Sequence, residues 1–141
     1  MTNIQVNVQK STEFVEFLRT YGFDVEPLDS SVLKVSREGE LPVYISVGEE
    51  SLYFEVDLCP LSSLQVSEAF LYKLLDLNTE ILPVSAGIDS SNPDDVRLVL
   101  VESREASNLD DTELLAVFDA LELAVDRLEA LLEENVKPGA V

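Results

Sequence analysis

Cys59 is the one thiol in this chain, and the chain has no histidine to serve it. Without histidine the Ser-His-Asp and Cys-His arrangements are absent, together with the commonest general base and the most frequent transition-metal ligand. A cysteine acts as a nucleophile only when a neighbouring positive charge or a helix N-terminus favours the thiolate. Asp57 before it and Pro60 after it offer neither, so Cys59 reads as a buried or semi-buried structural thiol. Carboxylates are abundant, and Glu55 with Asp57 could in principle serve as acid and base. Both alternate with apolar residues, which places them on the solvent face of a strand.

Asp89, Asn92, Asp94 and Asp95 could supply oxygen ligands to calcium from a flexible loop. Their spacing is not that of a D-x-D-x-D-G loop closed by a glutamate, and Asp, Asn, Ser and Pro are the residues turns use in any case. The glycines are scattered at Gly22, Gly39, Gly48, Gly87 and Gly139, so no phosphate-cradling loop is present. The expectation is a chain with no catalytic residues, no cofactor and no metal: not an enzyme. A carboxylate-based enzyme, or a calcium- or small-ligand-binding protein, is the alternative.

The charge balance narrows the partners. With 28 acidic and 9 basic residues the net charge is −19, which repels nucleic acid and anionic lipid. It would draw in a basic protein surface, but high acidity is also a common route to solubility, and that is the favoured reading. At 141 residues, 46% of them hydrophobic, the chain suits one domain over 1–141 with an ordinary core. No apolar run approaches the roughly 18 residues of a membrane span. Met1 to Lys10 lacks the layout of a secretory signal, and a single cysteine excludes an internal disulfide. Together these place the chain in the cytoplasm.

The element that organises the rest is Asp110 to Glu134. Leu114, Phe118, Leu121, Val125, Leu128 and Leu132 recur at steps of four and three, an apolar side kept along a whole helix. Asp110 is its N-cap with Glu113 as capping-box partner, and Pro138-Gly139 stops it. Such a stripe could dock a partner helix or form a homodimer seam, so Phe118, Leu121, Val125, Leu128 and Leu132 are the candidate partner-binding residues. Val117, Ala124 and Leu131 widen the face towards what packing on a sheet needs, and the turns from Leu128 to Leu132 are the part expected to project past that sheet.

Upstream, Ser11 caps a first helix carrying Phe14, Phe17, Leu18 and Tyr21, closed by Gly22. Phe23 and Val25, then Leu33 and Val35, alternate with polar residues as two short strands, with Pro27 at an edge or an end. Leu41 to Val47 and Leu52 to Leu58 form a hairpin around Gly48-Glu49-Glu50. After a break at Cys59-Pro60, Ser63 to Leu77 reads as a helix with Phe70, Leu71, Leu74 and Leu75 on its buried side and Asn78 at its end. Ile81 to Ile88 and Val96 to Val101 make a second hairpin across a turn-rich loop. The order α-β-β-β-β-α-β-β-α, with hairpins rather than βαβ units, predicts an α+β domain: an antiparallel sheet of five to six strands with helices packed on it.

Glu40-Leu41-Pro42-Val43-Tyr44-Ile45 followed by a hairpin, then Pro60-Leu61-Ser62, and later Ile81-Leu82-Pro83-Val84-Ser85-Ala86-Gly87-Ile88, resemble the YjfI-like family of bacterial proteins. The resemblance runs from about Leu33 to Leu131. It implies the small α+β architecture of type III secretion chaperones, and a functional tie to a coiled-coil, membrane-associated protein of the phage-shock-protein-A kind in envelope stress. No catalytic residues are described for that family, so none carries over. Where its members have a Gly-Ala-Leu-Ser-type stretch before the last helix, this chain has Glu102-Ser103-Arg104-Glu105-Ala106-Ser107. The expected function is a non-catalytic cytoplasmic adaptor, chaperone-like, binding a protein partner and able to form a homodimer.

Overall fold

The computed structural model describes residues 5–8, 11–29 and 31–138. The side chain of Ser11, the expected cap, and Gly139, part of the expected stop, lie outside them, as does most of the stretch from Met1 to Lys10. The elements are α1 (Ser11–Thr20), β1 (Asp24–Pro27), β2 (Val32–Ser36), β3 (Val43–Val47), β4 (Ser51–Pro60), α2 (Glu68–Asn78), β5 (Ser85–Asp89), β6 (Arg97–Glu105) and α3 (Asp111–Glu134). The six strands form a sheet in the order β1-β2-β3-β4-β6-β5, the α+β arrangement the alternation and hairpins call for. The chain folds as two compact units, Met1–Val56 with Glu102–Asp119, and Asp57–Val101 with Ala120–Val141.

In the first unit, α1 ends in a Schellman closure: Gly22 at φ +90° lets its own N–H reach the carbonyl of Arg19 and the N–H of Phe23 reach that of Leu18. Period-two alternation then sends Val25, Leu33, Val35, Val43, Ile45, Leu52, Phe54 and Val56 inward. Phe118, from the first turns of α3, packs its ring 4.5 Å from Phe23 and edge-on at 6.0 Å from Phe54. Each such buried aromatic contributes about 2–3 kcal/mol by transfer alone. Arg37 lies 5.0 Å over the Phe23 ring and pairs with Asp119 at 3.1 Å, closing the rim of that cluster. β3 begins at Val43 rather than Leu41, which stands exposed, because register with β2 is kept only from Val35 opposite Val43 onwards. Asp110 caps α3 as expected, its Oδ1 accepting the N–H of Glu113 at 2.8 Å. Glu102 is buried on the core-facing side of β6 and is held by Arg104 Nε at 2.8 Å.

In the second unit, Cys59 and Pro60 do not break the chain but complete β4, whose Asp57 takes a hydrogen bond of 3.0 Å from Arg97 on β6. Leu61–Ser63 is a single 3-10 turn, so the α-helix starts five residues later than the Ser63 start expected, at Glu68, behind a Ser67 cap that accepts the Phe70 N–H at 3.0 Å. β5 is also shorter than Ile81–Ile88. The first half of that expected stretch is instead a turn closed by the Val84 N–H on the Ile81 carbonyl, with Ile81 and Val84 as core anchors. α3 stops at Glu134, ahead of Pro138, because Asn135 turns back onto the Leu131 carbonyl at 2.8 Å and Val136 bridges to Leu64. The N–H groups of Gln65 and Lys137 tie that segment down further, on the carbonyls of Asn135 and Ser63. Leu128 and Leu131 are therefore core residues, and the expectation that the helix end projects from the sheet is corrected.

Candidate interaction surface

α2 has more apolar surface than its own unit covers. At about 100° per residue, Phe70, Leu74 and Leu77 make one stripe, Leu71, Leu75 and Asn78 the next, and Glu68, Tyr72 and Asp76 the one after. Phe70 and Leu74 are buried. Leu71 and Leu75, which the sequence pattern puts on the buried side, are 39% and 67% exposed, and Tyr72 is 76% exposed. A helix resting on one surface hides a stripe of about 100°, whereas the apolar arc here spans about 200°.

Asn78 fixes the direction in which this arc faces. It ends the Leu71–Leu75 stripe, and its Oδ1 accepts the Ala86 N–H of β5 at 2.7 Å. In the antiparallel pairing with β6, Ala86 and Ile88 fall on the same parity, so Ile88 also turns its backbone polar groups away from β6, towards the open edge of the sheet. The exposed stripe thus leads to an edge strand whose Ile88 side chain is itself exposed, as is Leu82 in the intervening turn. Of the twelve large apolar side chains exposed among the described residues, eight belong to this unit. Exposed apolar side chains that neighbour one another along a helix, as Leu71, Tyr72 and Leu75 do, are a feature of binding sites.

The five α3 positions singled out by periodicity are placed differently. Phe118, Leu121 and Leu128 are in the core, while Val125 and Leu132 are half-buried. The exposed large apolar residue of that helix is Leu123, at a position the four-three pattern skips.

The potential chemical groups are accounted for by local bonding. Burial pushes the Cys59 thiol up from its ordinary pKa, against the opposing effects of a Ser63 hydrogen bond and the Arg97 charge, so the reactive thiolate is disfavoured. Glu55 accepts from the Tyr53 hydroxyl, and Asp57 is paired with Arg97. In the acidic loop, Asp89 accepts the Ser91 N–H, Asn92 the Asp94 N–H, and Asp95 pairs with Arg97. Among the described residues no three acidic or thiol side chains converge on one point. A groove of about 530 Å³ in the first unit is lined by Arg19 and Lys34 but also by Asp24 and Glu26, so its charges offset one another. No described helix is long and apolar enough to cross a membrane.

No protein-family model matches the chain, and neither does any curated protein sequence. Among solved structures, a chain of the heterodimeric ExoU–SpcU complex from the type III secretion system of Pseudomonas aeruginosa superposes with a TM-score of 0.67 at 22% identity, over 84% of this chain and 97% of that one. YbjN from E. coli superposes with a TM-score of 0.58 at 15% identity, over 91% and 96%. At these identities the likeness shows the fold, which is that of type III secretion chaperones.

Proposed function

We propose that the chain is a non-catalytic protein-binding module, an adaptor of the chaperone kind acting in the cytoplasm, and that it docks its partner on the outward arc of α2. The observation that carries this reading is the exposure of Leu71, Tyr72 and Leu75 on a helix whose inner stripe is already satisfied by Phe70 and Leu74. Three large side chains held in water on a rigid helix offer a ready anchor for a partner. The fold likeness supports the same class, since the ExoU–SpcU structure is of a heterodimeric complex. For the partner's identity, the YjfI-like resemblance supports a coiled-coil, membrane-associated protein of the phage-shock-protein-A kind. Val125 and Leu132 are the two members of the α3 set that such a partner could touch without opening the core.

The test is affinity capture of the full chain and of Tyr72→Ala/Leu75→Ala from cells that make it. A partner retained by the wild type and lost with the variant supports the α2 face. Equal retention by both moves the docking site elsewhere.

A further inference from the structure

We infer that the occupant of the α2 face is a basic amphipathic segment of another protein, in which apolar residues meet Leu71, Tyr72 and Leu75 while flanking Lys or Arg meet Glu68 and Asp76. The inference rests on the docking reading above and adds the partner's chemistry. Glu68, Tyr72 and Asp76 lie at steps of four along one stripe, so the tyrosine ring has a carboxylate one turn before it and another one turn after. Both residues are exposed, and neither carboxylate is in an ion pair among the described residues. Lys73, three positions before Asp76, is in no ion pair among the described residues, and Arg127 is engaged by Glu80 at 2.7 Å.

A tyrosine face between two carboxylates is a seat for a guanidinium or ammonium group, which gains from the ring and from both charges. A second copy of this chain is the wrong occupant on the same grounds. Pairing α2 with α2 would bring Glu68 and Asp76 against like charges, in a molecule already at −19. Charge complementarity therefore selects a basic segment and steers it in at long range.

The full chain is titrated, at low and moderate salt, into a fluorescent amphipathic peptide of Leu and Arg, and into its Leu and Glu counterpart. The basic peptide is expected to bind and the acidic one not to. Glu68→Gln/Asp76→Gln should weaken binding about fivefold, and Tyr72→Ala/Leu75→Ala about tenfold or more. Glu38→Gln/Glu40→Gln, an equal charge change in the β2–β3 turn, should leave it unaltered. If the turn variant weakened binding as much as the α2 variant, the peptide would be answering the net charge alone and the inference would fall. It would fall too if the chain sedimented as a dimer that Tyr72→Ala/Leu75→Ala splits, or if no basic peptide bound while capture still depended on Tyr72 and Leu75. Those last two results would leave the α2 docking face standing and overturn only its partner's chemistry.

Discussion

α3 and α2 start alike and end differently. Each opens on a side-chain cap, Asp110 in one and Ser67 in the other, and each carries a run of large apolar residues at helical spacing. On α3 that run is consumed: Leu114, Val117, Phe118, Leu121, Leu128 and Leu131 are buried, and Leu123 is the large apolar residue left outside. On α2 Phe70 and Leu74 are buried, Leu77 is half-buried, and Leu71, Tyr72 and Leu75 are exposed. Periodicity reveals that a helix has an apolar face. Whether the chain itself covers that face depends on how many neighbouring stripes are apolar compared with the single stripe one surface can hide. The surplus, rather than the regularity, is what leaves α2 with an exposed apolar arc.

The contrast is broken most severely by charging α3. Leu128→Asp buries a carboxylate at a fully enclosed site, and the lost packing alone costs about 3 kcal/mol or more before the desolvation of the charge is added. We expect the variant to be largely unfolded by circular dichroism. A cooperative melt near that of the wild type would mean that the helix end is held less firmly than its ties to Ser63 and Gln65 imply. Within α2 the same contrast is sharpened by Phe70→Ala. This inner-stripe residue is 1% exposed, and its truncation should cost about 3–4 kcal/mol in urea unfolding. A cost under about 1 kcal/mol would show that both faces of α2 are dispensable to the fold.

Asn78→Ala comes next, since it removes the bond to the Ala86 N–H and leaves that donor without its partner. We expect a loss of about 1 kcal/mol, with hydrogen exchange at Ala86 rising well above that of the other β5 amides. Unchanged protection at Ala86 would mean that α2 does not need this bond to stay against β5.

Most of the architecture was legible because it rests on local rules. Alternation at Leu52, Phe54 and Val56, the Gly22 closure and the Asp110 cap each need only a few neighbouring residues to be read. The boundaries that differed were set by distant partners. β4 continues through Cys59 and Pro60 because β6 runs beside it, with Arg97 reaching Asp57. α3 stops at Glu134 because Val136 meets Leu64, seventy-odd residues away in sequence. The candidate site was legible only in retrospect. The α2 segment FLYKLLDL has six apolar residues in eight, too many for one face, and assigning Leu71 and Leu75 to the core assumed a second covering surface that the chain does not provide. The more regular α3 pattern largely reflects burial: Phe118, Leu121 and Leu128 are enclosed, while Val125 and Leu132 stay half-buried.

The smallest expected effect discriminates most finely between the two helices. Tyr72→Ala/Leu75→Ala removes two large side chains from α2, yet both already stand mostly in water, so little transfer free energy is at stake. Alanine is also the best helix former, which sets a modest propensity gain against the lost contacts with helix neighbours. We therefore expect unfolding free energy within about 0.5 kcal/mol of the wild type and an unchanged denaturant slope. Against the several kcal/mol at Leu128, that near-zero value would show that α2's outer arc serves something other than the fold, and any loss of partner binding in the same variant could not be ascribed to unfolding. A cost of about 2 kcal/mol or more would show the reverse: the arc would be covered in solution by the chain itself, and α2 would be a second α3.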